Sequence, residues 1–259
     1  MSYLERLFRA TEDENRRAIL SAVRPIEGGR MLDLGCASGH FTIEVAHRAR
    51  AAEIHGVELV GQWAADARAR GIEVVATDLA ERLPYDDASF DLVHSNQVIE
   101  HVPRTDAFLR EIRRVLAPGG HAVVSTNNLA SWHNVLSLAL GWQPTPCHVS
   151  DYVVVGNPGN AYDGWEQPMF GQQHLRIFTG RALAELAAYH GLALDLDRTA
   201  GYYPLPARAA RALTRVDRRH GAFLVQRYVP AQAPRRPGPA PAASAMPFTN
   251  AGATTRRPS

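Results

Sequence analysis

The sequence predicts an α/β fold, a doubly wound sheet with helices on both faces, and three observations carry that prediction. Short apolar, β-branched runs alternate with stretches of helical periodicity along most of the chain. The first such run ends in a glycine turn, "MLDLGCASGHFT" at 31–42, that opens directly into a helical pattern. The length of 259 residues, 46% of them hydrophobic and 21% charged, suits one sizeable domain with a substantial core.

Taken in order, Tyr3 to Val23 places Leu4, Leu7, Phe8, Ile19, Leu20 and Val23 at helical spacing, and Pro25 with Gly28 and Gly29 ends the pattern. "RMLDLG" then reads as a buried strand, "GHFTIEVAHRA" as a helix, "EIHGVEL" as a strand and "GQWAADARARG" as a helix. "EVVATDL", "FDLVHSN" and "HAVVSTN" are three further strands. A helix, "TDAFLREIRRVL", separates the last two and is stopped by "APGG". Right-handed crossovers make the resulting sheet parallel.

The rhythm breaks from Asn127 to Phe178, where tryptophans, prolines and glycines interrupt any period. So long an irregular insertion in a compact domain is expected to be a lid or a binding surface. Regularity returns with a helix at "TGRALAELAAYHG", a strand at "LALDLDRTA", a basic helix across 207–219 and a final strand "GAFLVQRYV". The expected organisation is therefore an N-terminal helix (1–24), a main domain (25–229) with an insertion at 128–178, and a Pro/Ala-rich tail (230–259). The tail is too poor in core formers to be expected to order.

A net charge of +2 is too mild to predict a nucleic-acid surface. Cys36 and Cys147 have neither metal-ligand nor redox spacing. The first residues alternate charges without an apolar signal core, and "VLSLALGW" is too short to span a bilayer. These features predict a cytoplasmic protein with no membrane or nucleic-acid partner, as a monomer or homodimer.

A strand, glycine turn and helix together set free backbone N–H groups beside a ligand. A nucleoside triphosphate would require a lysine and a hydroxyl after the last glycine, but His40 and Phe41 follow Gly39. A dinucleotide would bring its pyrophosphate towards Asp33. A charge within ~4 Å is worth ~4 kcal/mol at an effective dielectric of ~20, so that acid favours a ligand with positive charge at the turn. S-adenosylmethionine, with an ammonium and a sulfonium, is such a ligand.

"LDLGCASGHFT" resembles the first motif of class I S-adenosylmethionine-dependent methyltransferases, and "GVEL", "ATDL", "LPYDDASFDLVHSNQVIEHV" and "LREIRRVLAPGGHAVVSTNN" follow in that family's order. The resemblance covers Arg30 to Asn127 closely and the elements up to Val229 loosely. It implies a Rossmann-like sheet, mostly parallel with an antiparallel last strand. It also implies that Gly35, Ala37 and Gly39 lie under the methionine part of the cofactor, with Asp33 near its ammonium. Ala37 replaces the middle glycine of the usual triplet and is tolerable there if its φ stays negative. Glu58, about 20 residues past the turn, would receive the ribose hydroxyls. Asp78 and Leu79 would clasp the adenine, and Asn96 and Gln97 would face the methionine and the reactive methyl.

For the acceptor, the resemblance implies a small molecule, with a hydroxyl of a sugar or natural product as the leading substrate. A hydroxyl has a proton to lose, and His101, His133, His148, Tyr152 and His174 lie in or beside the insertion as candidates to take it. His174 and His101 are the expected catalytic residues, with Arg176 at the rim. Trp132, Trp142, Tyr152, Tyr162, Trp165 and Phe170 could face a ring or form the insertion's own core. No acidic cluster with metal-ligand spacing is recognisable, so no metal is expected. N- or C-methylation, a nucleotide-dependent oxidoreductase and a non-catalytic cofactor-binding protein are the alternatives.

Overall fold

The structure is a computed structural model that describes residues 3–158 and 173–231. It contains one seven-stranded sheet in the order β3-β2-β1-β4-β5-β7-β6. The strands are β1 (Arg30–Leu34), β2 (Glu53–Val57), β3 (Glu73–Val75), β4 (Phe90–Asn96), β5 (Leu116–Asn127), β6 (Leu192–Ala200) and β7 (Phe223–Pro230). Neighbours among β1 to β5 are parallel, whereas β7 runs antiparallel to both β5 and β6. The helices are α1 (Tyr3–Ala22), α2 (His40–Ala49), α3 (Gly61–Ala69), α4 (Thr105–Val115), α5 (Trp132–Ala139), α6 (Gly180–Tyr189) and α7 (Ala207–Thr214). No helix among the described residues is long and apolar enough to cross a membrane.

The two-residue period of the strands divides the core between the two faces. Met31, Leu92, Val123 and Val225 meet Ile19 and Ala22 of α1, Val23 just after it and Val45 of α2 on one side. Leu32, Leu34, Val93, Val124 and Leu224 meet Phe108, Leu109 and Ile112 of α4 and Leu183 of α6 on the other. Helix α4 shows why the sequence becomes a helix here. Its buried Thr105, Phe108, Leu109, Ile112 and Val115 recur at three- and four-residue steps, one stripe of a helical surface. The N-terminal helix is part of the core, since Ile19 and Ala22 are wholly buried.

Several boundaries differ from expectation. Strand β5 begins at Leu116 rather than after "APGG": Phe90 pairs with Leu116, and the register then shifts so that Leu92 pairs with His121. A bulge absorbs the Pro-Gly-Gly run that reads as a stop. Strand β3 ends at Val75, so Asp78 and Leu79 lie in the loop beyond it. The basic helix ends at Thr214. The insertion, expected to be irregular, holds α5, whose pattern is inverted. Asn134 and Ser137 are buried, while Trp132, Leu136 and Leu138 are exposed. Asn134 donates to the Asn128 carbonyl and Ser137 to the His133 carbonyl, which satisfies the two buried donors, while Asn134 Oδ1 is left without a partner. Tyr162, Trp165, Phe170 and the tail beyond Ala231 lie outside the described residues.

Candidate active site

The carboxyl ends of β1 and β4 are neighbours at the point where the strand order reverses, the usual crevice of an open parallel sheet. The glycine turn forms one wall. Gly35, Ala37 and Gly39 all have positive φ, of 76°, 46° and 81°. Ala37 therefore departs from the negative φ expected of it, and a left-handed alanine costs roughly 1–2 kcal/mol. Its amide shows what holds it there: the N–H donates to Glu58 Oε2 at 2.9 Å. Glu58 Oε1 accepts from the Val60 amide at 2.8 Å, so one carboxylate at the end of β2 ties the turn to the start of α3. Glu58 is nearly buried, and each oxygen retains a lone pair for a further donor.

Asp33 is not bare at the turn. Its Oδ2 accepts from Thr42 Oγ1 at 2.6 Å, and its Oδ1 lies 2.7 Å from His94 Nδ1. His94 is its partner in register on β4, so the pair bridges the two central strands beneath the crevice. The acid sits behind the turn and is almost wholly buried. Both of its oxygens thus already have a protein partner. Between these acids, burial and then the charges of Asp33 and Glu58 push the Cys36 thiol up to about 12, which makes it inert.

Asp78 is exposed and accepts from the Ala80 amide at 2.8 Å, a turn that presents Asp78 and the half-buried Leu79 at the edge of the site. At the end of β4, Asn96 accepts from Asn15 Nδ2 at 3.1 Å, and Ser125 donates to Asn15 Oδ1 at 3.0 Å. Asn15 is a buried residue of α1 that sequence reasoning missed, because a lone asparagine on an amphipathic helix carries no signal. Gln97 takes a φ of 56°, accepts from Asn127 Nδ2 at 3.0 Å, and leaves its own Nε2 buried with no partner. An orphaned buried donor beside a glycine turn and a nearly buried carboxylate fits S-adenosylmethionine, whose carboxylate and ribose offer the complementary groups.

Next to Gln97, the chain turns into a cluster assembled across the fold. Glu100 is wholly buried and accepts from Thr126 Oγ1 at 2.7 Å and Asn127 Nδ2 at 3.3 Å. Its main-chain oxygen accepts from the Leu175 amide at 2.7 Å and so docks the end of the insertion. That contact brings in His174, whose ring centroid lies 4.8 Å from that of His101 and 4.3 Å from His148. His101 Nδ1 faces the Gln173 carbonyl at 3.1 Å, and His174 Nδ1 faces the Pro146 carbonyl at 2.9 Å. A carbonyl can only accept, so each Nδ1 carries the proton and each Nε2 carries the lone pair. Burial pushes His174 down to about 4 and lowers His101 as well, while it raises Glu100 to about 7.

The other candidates fall away from this point. His133 is pushed down to about 4 by burial and packs edge-on against Tyr203. Tyr152 is exposed, and Arg176 spends its guanidinium on the Val102 and Pro103 carbonyls. Trp132 stacks on His220 and donates to Asp217, remote from the cluster in sequence and in its contacts. Sequence reasoning found His101 and His174 but left out Glu100. The carboxylate was visible in "EHV", yet nothing in the spacing pairs it with a histidine 74 positions later.

The parallel sheet, the left-handed glycine turn and the acid at the end of β2 define the class I S-adenosylmethionine-dependent methyltransferase fold. Residues 3–196 match the family model described as a methyltransferase domain, and the chain belongs to that family. It is 32% identical over 145 residues to the ubiquinone biosynthesis O-methyltransferase of Maricaulis maris (strain MCS10), a match covering 50% of this chain and 54% of the relative. The trans-aconitate 2-methyltransferase of Methylobacterium radiotolerans is 29% identical over 215 residues, 79% of this chain and 74% of the relative. An S-adenosylmethionine dependent methyltransferase structure from Mesorhizobium loti superposes with a TM-score of 0.54 at 22% identity, over 82% of this chain and 95% of that one. The chain spans about half the length of the first curated relatives it matches. The family resemblance read from the motifs is thus borne out.

Proposed function

We propose that this chain transfers the methyl group of S-adenosylmethionine to a hydroxyl of a small-molecule acceptor, a sugar or another natural product. The observation that carries the reading is the convergence of His101 and His174 beside Gln97, at the end of the strand that borders the glycine turn. S-adenosylmethionine, when bound, supplies a methyl carbon made electrophilic by a positive sulfur. Gly35, Ala37 and Gly39 take the methionine part on the turn, with Asp33 bracing it from below. Gln97 gives its unpaired Nε2 to the methionine carboxylate, and Asn96 stands beside it. Glu58 accepts the ribose hydroxyls, while Asp78 and Leu79 hold the adenine.

Positive charge on sulfur disperses as the methyl moves, so much of the rate comes from orientation and exclusion of water. The remaining chemical demand is the acceptor's proton. His101 and His174 meet it with Nε2 lone pairs fixed in direction by the carbonyls on their far side. The relative from Maricaulis is itself named an O-methyltransferase, which supports oxygen as the accepting atom.

The test is incubation with isotopically labelled donor and a panel of hydroxyl-bearing acceptors, read by mass spectrometry and by release of S-adenosylhomocysteine. His174→Ala should lower kcat/KM by roughly 10²–10⁴-fold and leave donor affinity unchanged. Donor affinity that falls in step with activity would place His174 on the cofactor instead, and full activity would return it to packing.

A further inference from the structure

Removal of one proton needs one imidazole, yet the fold builds more than that here. Glu100, His101 and His174 each offer a potential ligand atom, and these atoms lie within 4.8 Å of one another. Each also has an outer partner of the kind that orients a metal ligand. His101 donates Nδ1–H to the Gln173 carbonyl and His174 donates Nδ1–H to the Pro146 carbonyl, so both have Nε2 free to ligate. The carboxylate of Glu100 is steadied by Thr126 and Asn127. His148 stacks on the His174 ring with an interplanar angle of 12° and accepts the His174 amide on its Nδ1 at 3.0 Å, which fixes that ring's plane.

The carboxylate itself is the second argument. Glu100 is wholly buried, and no cationic side chain among the described residues pairs with it. Asp33 and Glu58, the other buried acids of the site, have His94 and two backbone amides respectively. Burying a carboxylate charge without a cationic partner is unfavourable, and the two imidazoles beside it have lone pairs left to share on Nε2. A cation between them satisfies all three.

We propose that Glu100, His101 and His174 bind one divalent transition-metal ion through two imidazoles and one carboxylate. This donor set suits Zn²⁺, Mn²⁺, Fe²⁺ or Co²⁺ better than Ca²⁺, which prefers a shell of oxygens. Ligands about 2.0–2.2 Å from one ion stand closer together than 4.8 Å, so the side chains close inward on binding. Three protein ligands leave positions open for the acceptor. Asn127 Nδ2 bonds both Gln97 and Glu100, which couples the ion site to the methyl-transfer end of β4. The role of the ion rests on the acceptor reading above. With the ion bound, both Nε2 lone pairs are engaged as ligands and the ion takes over the activating role from the histidines: the acceptor hydroxyl coordinates the ion and releases its proton to solvent. Its oxygen then forms a bond to the methyl carbon, and the carbon–sulfur electron pair returns to sulfur to leave a neutral thioether.

The ion site is tested without turnover. Protein freed of metal by a chelator is titrated with ZnCl₂ and MnCl₂ by calorimetry, in the absence of donor and acceptor, and with CoCl₂ by visible absorption. The expected result is one equivalent bound, with ligand-field bands for Co²⁺. His174→Ala and Glu100→Gln should each weaken binding by roughly 10–100-fold or more. Glu100→Gln nearly preserves shape and can still accept from Thr126, and its circular dichroism and melting temperature show whether it folds. His121→Gln, on the opposite face of the sheet, should bind metal normally. Absence of saturable binding to the wild-type protein, or binding unchanged in both ligand variants, overturns the site. Site-dependent binding without methyl transfer to any hydroxyl would keep the ion and remove the acceptor reading. Full methyl transfer by chelated protein that shows no site-dependent binding would do the reverse.

Discussion

At Glu58 one carboxylate spans the Ala37 and Val60 amides at 2.9 and 2.8 Å, and in the proposed complex it also receives the ribose. Its removal therefore acts twice, on the cofactor and on the left-handed Ala37 that it restrains. Glu58→Ala is expected to weaken donor binding by ~2–3 kcal/mol, the range of charge-assisted hydrogen bonds, as measured by calorimetry. Unchanged affinity in a folded variant would remove the ribose assignment. Asp33 poses a different question, because its oxygens are taken by Thr42 and His94. Asp33→Ala strips a buried imidazole of its partner and should cost about 1.5–3 kcal/mol in urea unfolding, the range of a hydrogen bond to a charged group. A parallel loss of donor affinity is expected if the acid also supports the cofactor's positive end; stability lost with affinity kept would make Asp33 a brace between strands and nothing more.

At the scale of elements, the turn between β1 and α2 depends on the approach of α3. A Cβ on Gly39 would sit 2.5 Å from Ile72 Cδ1 and 3.2 Å from Ala67 Cα. The isoleucine tip can rotate away, but the Ala67 backbone belongs to a helix and cannot. Gly28 has nearly the same φ, 80°, with nothing within 4 Å of its Cβ position. The two sites separate backbone strain from collision. Gly28→Ala should cost about 1–2 kcal/mol, the left-handed penalty alone. Gly39→Ala should cost clearly more in thermal unfolding and should also weaken donor binding, because α3 and the turn must part. Equal costs at the two positions would mean that α3 yields freely.

Across the whole molecule, the sheet joins α1 to the C-terminal strands through groups far apart in sequence. His121 on β5 accepts from the Arg24 amide at 3.1 Å and is almost wholly buried. Burial, and then the charges of Arg227 and Arg24, push it down to about 4 from an ordinary 6.5. Between those two values the unfolded chain takes up a proton that the folded chain refuses. Stability is therefore complete above about pH 6.5 and falls as the pH drops towards 4, by on the order of 3 kcal/mol from this residue. His121→Gln can still accept from the Arg24 amide. It should flatten the decline between pH 7 and 4 in denaturant titrations, although the buried His133 adds its own share. A decline of the same size in the variant would assign the acid sensitivity elsewhere.

The sequence by itself determined the parallel core, the order of its elements and the family with its cofactor. Those depend on local patterns: two- and 3.6-residue periods, a glycine turn after a strand, and acids a fixed distance further on. It also singled out His101 and His174, as histidines beside an insertion. Only the tertiary structure decided what surrounds them. The amide of the left-handed Ala37 is held by Glu58, just beyond the next strand. Helix α5 escaped notice because its buried face is the polar one, its donors given to carbonyls that the pattern does not display. The pairing of Glu100 with His174 arises because a main-chain oxygen after β4 docks the end of the insertion, a contact between chain segments more than 70 residues apart. Periodicity reports what a segment does with its own neighbours. The proposed acceptor site is built from the convergence of segments, and convergence exists only once the sheet has brought them together.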